Sequence, residues 1–421
     1  MRLWGHRDFR RLWIGETVSQ FGTTVGQLAL PLAAILVVHA SAFEVGLLTA
    51  FETLAFLAIG LPAGAWVDRL RLRFVLIGTD LIRAGAIASV PAAAALHALT
   101  IGQLYAVVLV VGVGTVFFDV AYQSYLPELV TRAQLVDGNA KLQASESVAQ
   151  VAGPGVGGAL VQALTAPYAL LVDALSFLWS ASWVGRIERR PPKSERPADR
   201  RLTREIGEGL RFVLGNRILR AIAASTAVAN LFSAMRLAVY YVLLAGELHL
   251  SAGTIGLISS AAAVGGFVGS LVAGPFARWV GQGPAIWIAS LAGAPAGFVV
   301  PFAHHGWTLW LLAVSQLGYW VTIVVYNITQ VSFRQGLCPP GLLGRMNATM
   351  RFLVWGTMPI GALLGGALAS WFGVRAALLV AAIGGAVAFV PALCSPLRGA
   401  RRLPSHDDVP VSEIASPLIG S

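Results

Sequence analysis

Charge is scarce in this chain: Asp, Glu, Lys and Arg make up 12% of 421 residues, against roughly a quarter in an average soluble domain. Cysteine is scarcer still. Cys338 and Cys394 stand alone, which excludes a disulfide framework, and neither has metal-ligand spacing around it; both read as inert thiols. No GxSxG or HExxH arrangement occurs, so the commonest hydrolase and zinc-protease chemistries have no carrier. The chain reads as no enzyme, with no cofactor and no metal; His304-His305 is expected in a water-facing outer turn. The start, MRLWGHRDFRRLW, runs into an apolar stretch without a small-residue cleavage site, so no cleaved signal peptide is expected.

Apolar residues supply what charge does not. They make up 56% of the chain, mean hydropathy is +0.72 and there are 46 glycines, the composition of a membrane protein. Spanning a bilayer takes about 20 largely apolar residues. Twelve segments qualify, beginning near Leu12, Val45, Phe74, Ile101, Ala140, Pro167, Leu219, Gly253, Pro284, Trp307, Arg345 and Val374. The hydrophilic stretch Arg186 to Arg217 divides them six and six. The expected organisation is a six-helix bundle over 1–185, a cytoplasmic linker over 186–218, a second six-helix bundle over 219–397 and a disordered tail over 398–421. In the linker, Ile206, Leu210, Val213 and Leu214 share one helical face, which predicts a helix lying on the inner leaflet.

Lysine and arginine orient the chain. Of 30, 26 fall in the connections that include both termini and one, Arg375, in the opposite set; the positive-inside rule then puts both termini in the cytoplasm of a cell (plasma or inner) membrane. The net charge of +10 is a topology signal with an anionic-lipid contact, not a nucleic-acid footprint.

The chain repeats itself. A shift of 210 aligns SAFEVGL (Ser41 to Leu47) with SAGTIGL (Ser251 to Leu257), and a shift of 208 aligns GGAL (Gly157 to Leu160) with GGAL (Gly365 to Leu368). Six spans separate the copies, so both halves point the same way, as parallel repeats about an axis along the membrane normal.

Between spans two and three lies GAWVDRLRLR. With Gly64, Asp68, Arg69 and Arg73 in place, this loop resembles the signature of the major facilitator superfamily; Arg71 and Leu72 depart from it. The resemblance implies a cytoplasmic latch between the halves; the alternative is that the loop is only a basic membrane anchor. The stretch VAGPGVGGAL carries Gly153, Pro154, Gly157 and Gly158. Its GPxxGG pattern resembles that of superfamily exporters that exchange substrate for protons, with Ala149 where their leading glycine stands. Pro154 frees a helix carbonyl and permits a kink, and Ala149, Gly153 and Gly157 form a small stripe for close approach of another helix. Comparable stripes include Gly265 and Gly269 in span eight, Gly60 and Gly64 in span two, and Gly361 and Gly365 in span eleven. The resemblance implies that these helices form the seam between halves, five facing eight and two facing eleven; plain packing is the alternative. From FRRLW to NATMRFL the chain looks most like drug and siderophore exporters of the enterobactin-exporter and macrolide-efflux type. The arginine many relatives carry in span four is missing between Gln103 and Ser124.

Ionisable groups within spans are functional suspects, being costly unless paired, protonated or wet. Six acids (Glu16, Glu52, Asp80, Asp119, Glu146, Asp173) face three arginines (Arg83, Arg236, Arg351), so acids in excess are expected to take protons. Asp80 and Arg83, three apart on one helix, can neutralise each other. Glu16 either reaches interfacial water or takes protons; Asp119 faces a cavity or pairs with Arg83; Glu146 is a gate contact or a proton site. Glu52 is the favoured proton carrier, sharing Arg236 with Asp173. Gln20, Gln27, Phe51, Tyr122, Tyr240, Tyr326 and Asn327 are the expected cavity wall, suited to amphiphilic organic molecules. The composite expectation is a monomeric, all-α twelve-helix exporter driven by protons, whose partners are its small-molecule substrate, protons and membrane lipids. An importer or uniporter of the same fold, or a transport-inactive sensor or scaffold, is the alternative.

Overall fold

The computed structural model describes residues 5–67, 70–130, 135–188, 202–338 and 342–401. Regular backbone there is helical, as apolar sequence requires where lipid cannot hydrogen-bond a peptide group. The first half forms α1 (Arg7–Leu36), α2 (Ala42–Val67), α3 (Leu72–Ala95), α4 (Ile101–Leu129), α5 (Leu135–Leu164) and α6 (Ala166–Gly185). After the connector come α7 (Leu202–Gly215), α8 (Arg217–Tyr241) extended by a π-helical turn Val242–Glu247, α9 (Ala252–Val280), α10 (Gln282–Val299), α11 (Thr308–Leu337), α12 (Leu343–Trp355), α13 (Thr357–Phe372), α14 (Val374–Ala386) and the short α15 (Val390–Leu393).

Ten of the described helical segments are long and apolar enough to cross a membrane, with α12 and α13 counting as one segment, Arg345–Phe372, and α14 and α15 as another. Helices α1 and α5 have the length, 30 residues each, and carry more polar side chains. The fold is therefore an all-α integral membrane one, and each of the twelve starts read from sequence has a described helix beginning within five residues of it.

The repeat is visible in local geometry. His39 and His249, one shift of 210 apart, both hold left-handed backbone, with φ of 56° and 46°. Two residues on, Ser41 and Ser251 cap the next helix by accepting from Glu44 N at 3.3 Å and Thr254 N at 3.2 Å. A serine N-cap after a left-handed turn stops one helix and starts another, and the chain uses the device at equivalent places in both halves.

Compactness divides the chain differently from the sequence midpoint. One unit gathers 1–196, 237–263 and 362–377; the other gathers 197–236, 264–361 and 378–421. In the first, α1 packs most extensively on α6 and α5, α3 on α6 and α4, and α2 on α4. Its cluster of Phe9, Leu12, Leu76, Phe118, Tyr125 and Val184 fills the end where α1 begins. There Arg11 bridges Asp8 at 2.9 Å and Glu188 at 3.0 Å, tying the start of α1 to the end of α6. In the second unit α10 packs on α11, and a core of Leu219, Ile222, Phe333, Met346 and Met350 joins α8, α11 and α12.

Two expectations change. The linker helix exists as α7, but Val213 is fully buried against the core that holds Met346 and Met350. Gly209 lets the backbones close in, since a Cβ there would stand 2.9 Å from the Arg345 carbonyl, and Glu208 pairs with Arg345. The apolar face thus docks on protein, with Leu214 left exposed. The tail predicted as disordered from 398 begins with order: Pro396–Gly399 is a 3-10 turn, and Gly283 N donates to Ala400 O at 2.8 Å. Residues 402–421 lie outside the described ones.

Candidate functional site

Inside the first unit, α1, α3, α4 and α6 seal off a group of ionisable side chains. Arg83 Nη2 donates to Asp80 Oδ1 at 2.5 Å, one turn back along α3. The guanidinium lies between two rings, 4.3 Å from the centroids of both Phe118 and Phe177, and reaches Thr115 Oγ1 at 3.5 Å. Gly114 gives its stem room: a Cβ there would stand 2.9 Å from Arg83 Cγ. Asp173 lies one turn before Phe177 on α6, within the field of Arg83, and Glu16 on α1 feels Asp80, Arg83 and Asp119.

All four, Glu16, Asp80, Arg83 and Asp173, are buried. Among the described residues Asp80 Oδ2, Asp173 Oδ1, Glu16 Oε2, Arg83 Nε and Ser180 Oγ have no hydrogen-bond partner. Glu16 Oε1 accepts from Gln20 Nε2 at 2.6 Å. The bundle makes space for these carboxyls with glycine: a methyl on Gly26 of α1 would overlap the Asp173 carboxylate, and one on Gly22 would overlap Ser176. Three carboxyls around one guanidinium cannot all be neutralised by it, and buried charge without compensation is costly.

The expected neutralisation of Asp80 by Arg83 is present. Within the first unit the cation that acts on Asp173 is Arg83. Helix α6 is short and antiparallel to α3, so Asp173, seven residues into it, falls beside mid-α3. Glu52 is exposed, unlike the carboxyls of the cluster, and Asp119 and Glu146 are partly buried beside Tyr122. Glu146 accepts from Gln150 at 3.1 Å.

Of the expected cavity wall, Gln20 belongs to the acid cluster, and Tyr122 stacks on Phe118 at 5.8 Å. Phe51 meets Tyr105 edge-on at 5.3 Å, Gln27 is exposed, and Tyr240 is buried against Tyr241. Tyr240 is thus core, not wall. Tyr326 and Asn327 do line a cavity, of about 120 Å³, in the second unit, together with Arg236, Asn230, Ser233 and Tyr319. Thr226 and Tyr326 share a hydroxyl hydrogen bond of 2.6 Å at its edge. Arg236 lies 4.8 Å over the Tyr319 ring.

Of the loop motif, Asp68 and Arg69 lie outside the described residues, and Gly64 falls in α2. Arg73 donates to the Gly185 carbonyl, pinning the start of α3 to the end of α6.

The stripe glycines Gly153, Gly157, Gly265, Gly269 and Gly361 face other partners than expected, although span five does meet span eight and span two does meet span eleven. Gly153 and Gly157 of α5 meet Thr24 and Val25 of α1. Gly265 and Gly269 of α9 meet Leu317 and Val321 of α11, and Gly361 meets Leu231 of α8; Gly365 is buried in α13 and nothing lies within 4 Å of a Cβ on Gly60. Gly158, the residue after the stripe, faces α9, where a Cβ would stand 3.0 Å from Gly256 Cα and 2.5 Å from the Ala252 carbonyl. Gly46 of α2 meets α13 likewise, 2.8 Å from Gly366 Cα and 2.9 Å from the Ala362 carbonyl. The crossings are copies: Gly46 and Gly256 are related by the shift of 210, Gly158 and Gly366 by 208. Gly46, Gly256 and Gly366 were legible in the aligned heptapeptides and GGAL repeats, which pair the glycines directly.

A polytopic helical chain with ionisable groups sealed in its bundle and a cavity between helices has the architecture of a membrane transporter of small molecules. The family model described as transmembrane secretion effector matches residues 4–419, and the chain belongs to that family of the major facilitator superfamily. It is 27% identical over 351 residues to the multidrug efflux pump Tap of Mycolicibacterium fortuitum, covering 81% of this chain and 84% of the relative. It is 22% identical to macrolide efflux protein A of Streptococcus pyogenes over 87% of this chain and 90% of that one. With the enterobactin exporter EntS of Citrobacter koseri it shares 24% over 81% and 80%. Among solved structures, a mutant of the nucleoside transporter NupG aligns at a TM-score of 0.78 with 10% identity, covering 92% of this chain and 99% of that one. A bacterial homologue of the iron transporter ferroportin aligns at 0.74 with 16% identity, over 93% and 99%. These likenesses show the fold.

Proposed function

We propose that this protein exports amphiphilic small molecules in exchange for protons, its two six-helix halves (1–185 and 219–397) opening a path alternately to the two membrane faces. The observation that carries the reading is the buried group of Glu16, Asp80 and Asp173 around the single guanidinium of Arg83. One carboxylate is balanced by Arg83; the other two take protons, and losing one unbalances the interior of the bundle. Relatives named as drug, macrolide and enterobactin exporters support export of organic cargo. The glycine crossings α5/α9 and α2/α13 are the gate at the membrane face opposite the termini, and the arginine distribution supports termini in the cytoplasm of the cell membrane. Exchange works because substrate and proton stabilise opposite conformations, each shifting the equilibrium by its differential affinity.

The test is flux in proteoliposomes of purified full-length chain, with a pH dye inside and a panel holding a macrolide, ethidium and a catecholate siderophore. Export by exchange predicts that a compound moves against an imposed proton gradient and that its movement dissipates the gradient. Asp173→Asn keeps the fold and loses the pH-driven part of the flux. Compound movement without proton movement would make the protein a uniporter and overturn the reading; co-directional movement would make it an importer.

A further inference from the structure

Helix α3 divides its surface in two. Leu76, Asp80, Arg83 and Ile87 are buried, whereas Phe74, Gly78 and Ile82, at four-residue steps on another face, line a groove of about 730 Å³ against α4. Its walls are apolar, and Phe74 and Ile82 are exposed, so in a membrane the groove opens to lipid. Thr79 points its hydroxyl at the Val75 carbonyl, 2.8 Å away. Among the described residues that line the groove Arg71 alone is charged, and it stands exposed at the end where α3 starts. Gly78 leaves a notch, since nothing lies within 4 Å of a Cβ built there.

Dimensions and charge select the occupant. From Arg71 to Ile82 is eleven residues, about 16 Å of helix at ~1.5 Å each. That is the depth of one leaflet, half of a hydrocarbon core about 30 Å thick. An apolar slot one leaflet long, with a guanidinium at its headgroup end, is complementary to an acyl chain that carries an anionic phosphate. The same end holds an aromatic marker of headgroup level: exposed Trp66 of α2 stacks on Phe117, which lines the groove, at 6.0 Å and 9°. A cargo molecule would need converging polar groups to orient it, and these walls offer Arg71 and the turned-back Thr79.

We propose that one phospholipid with a net negative headgroup, such as phosphatidylglycerol, docks here, with an acyl chain in the α3/α4 groove and its phosphate on Arg71. With the face that carries the termini cytoplasmic, as proposed above, the lipid belongs to the inner leaflet, whose anionic surface attracts arginine. Its chain runs past Gly114, whose missing side chain also makes room for the Arg83 stem, so the bound lipid covers the wall behind the buried acids. The docking itself requires no transport.

Native mass spectrometry of the detergent-purified full-length chain tests it, by titration with phosphatidylglycerol and phosphatidylcholine of identical acyl chains. One saturable site should take phosphatidylglycerol about fivefold more tightly. Arg71→Gln erases that preference, and Arg71→Lys keeps most of it. Gly78→Leu adds a Cβ that meets nothing within 4 Å, fills the notch and abolishes the site. Gly85→Leu, two turns further along the same face and beyond the groove, leaves it intact. Equal binding of the two lipids, a preference that survives Arg71→Gln, or a site untouched by Gly78→Leu overturns the proposal. Should the variants not fold, competition on the native protein decides: neither glycerol 3-phosphate nor ethidium displaces the lipid, and displacement by either refutes the docking, as a free-phosphate site or a cargo portal. No gradient enters this measurement, so failed proton exchange in vesicles leaves it standing, and failed lipid preference leaves export standing.

Discussion

Gly158 of α5 and Gly256 of α9 cross with their backbones in contact: a Cβ built on either would stand 3.0 Å from the Cα of the other. The carbonyls of Ala252 and Pro154 each face the opposing glycine at 2.5 Å from such a Cβ. Gly46 and Gly366 repeat the arrangement with the carbonyls of Ala42 and Ala362, which are the repeat equivalents of Ala252 and Pro154. Close helix approach in a membrane depends on such small residues, because lipid offers no hydrophobic drive to association.

Leucine at Gly158 or Gly366 therefore wedges one crossing open, at a cost of about 1–3 kcal/mol, which moves a conformational equilibrium at least about fivefold. In a Cys394→Ser background carrying Ser251→Cys, an impermeant maleimide added from outside should react at least about fivefold faster in both variants. Gly60→Leu, whose site has nothing within 4 Å, should leave the rate unchanged. Equal rates in all three would mean the crossings do not gate.

The sequence made the span starts, the repeat and the linker helix legible because each rests on a local pattern of apolar length, identity at a fixed shift or helical periodicity. Side-chain partners were not legible. The stripe Ala149, Gly153, Gly157 announces a close approach, but a helix in a bundle has neighbours on several sides, and which one fills the stripe depends on rotation about its axis. One residue of rotation separates Gly157, against Val25, from Gly158, against Gly256. Likewise nothing in the spacing of Asp173 says that it lies in the field of Arg83; that follows from α6 packing on α3.

Arg83 and Asp80 form a buried pair, with side chains 5% and 0% exposed. Removing one partner strands the other, so Arg83→Met should cost about 3–5 kcal/mol, read as a drop in the thermal midpoint in detergent. Asp80→Leu combined with Arg83→Met should recover most of the loss, since a well-packed apolar pair replaces a buried ion pair at little net cost. Arg83→Lys should not rescue, because an ammonium cannot fill the planar slot between Phe118 and Phe177. A double variant no more stable than Arg83→Met would show that the pair is not an isolated unit.

Cys338 is buried, with its thiol pushed up to about 11 by desolvation, while Cys394 is exposed. Thiolate is the reactive form, and a raised value keeps Cys338 a thiol until the pH approaches it. At pH 7.5 N-ethylmaleimide should label one cysteine per chain, at Cys394, and a second only after denaturation. Labelling of Cys338 in the folded protein would show that the end of α11 opens.

The docking of α7 separates two kinds of contact on one helix. Glu208 and Arg345 pair with side chains 27% and 31% exposed, a setting in which an ion pair contributes about 0–1 kcal/mol. Val213, fully buried in the core with Met346 and Met350, contributes about 1.5–3 kcal/mol. Apolar burial, not charge, should then hold α7 in place. Limited trypsin digestion of the Arg-rich connector reads its release: Val213→Ser should speed cleavage at least about tenfold and Glu208→Ala less than about fivefold. High salt should change little, because screening reaches only the weaker contact. If Glu208→Ala proved the more damaging change, α7 would be an electrostatic latch, and its grip on α12 would loosen with ionic strength.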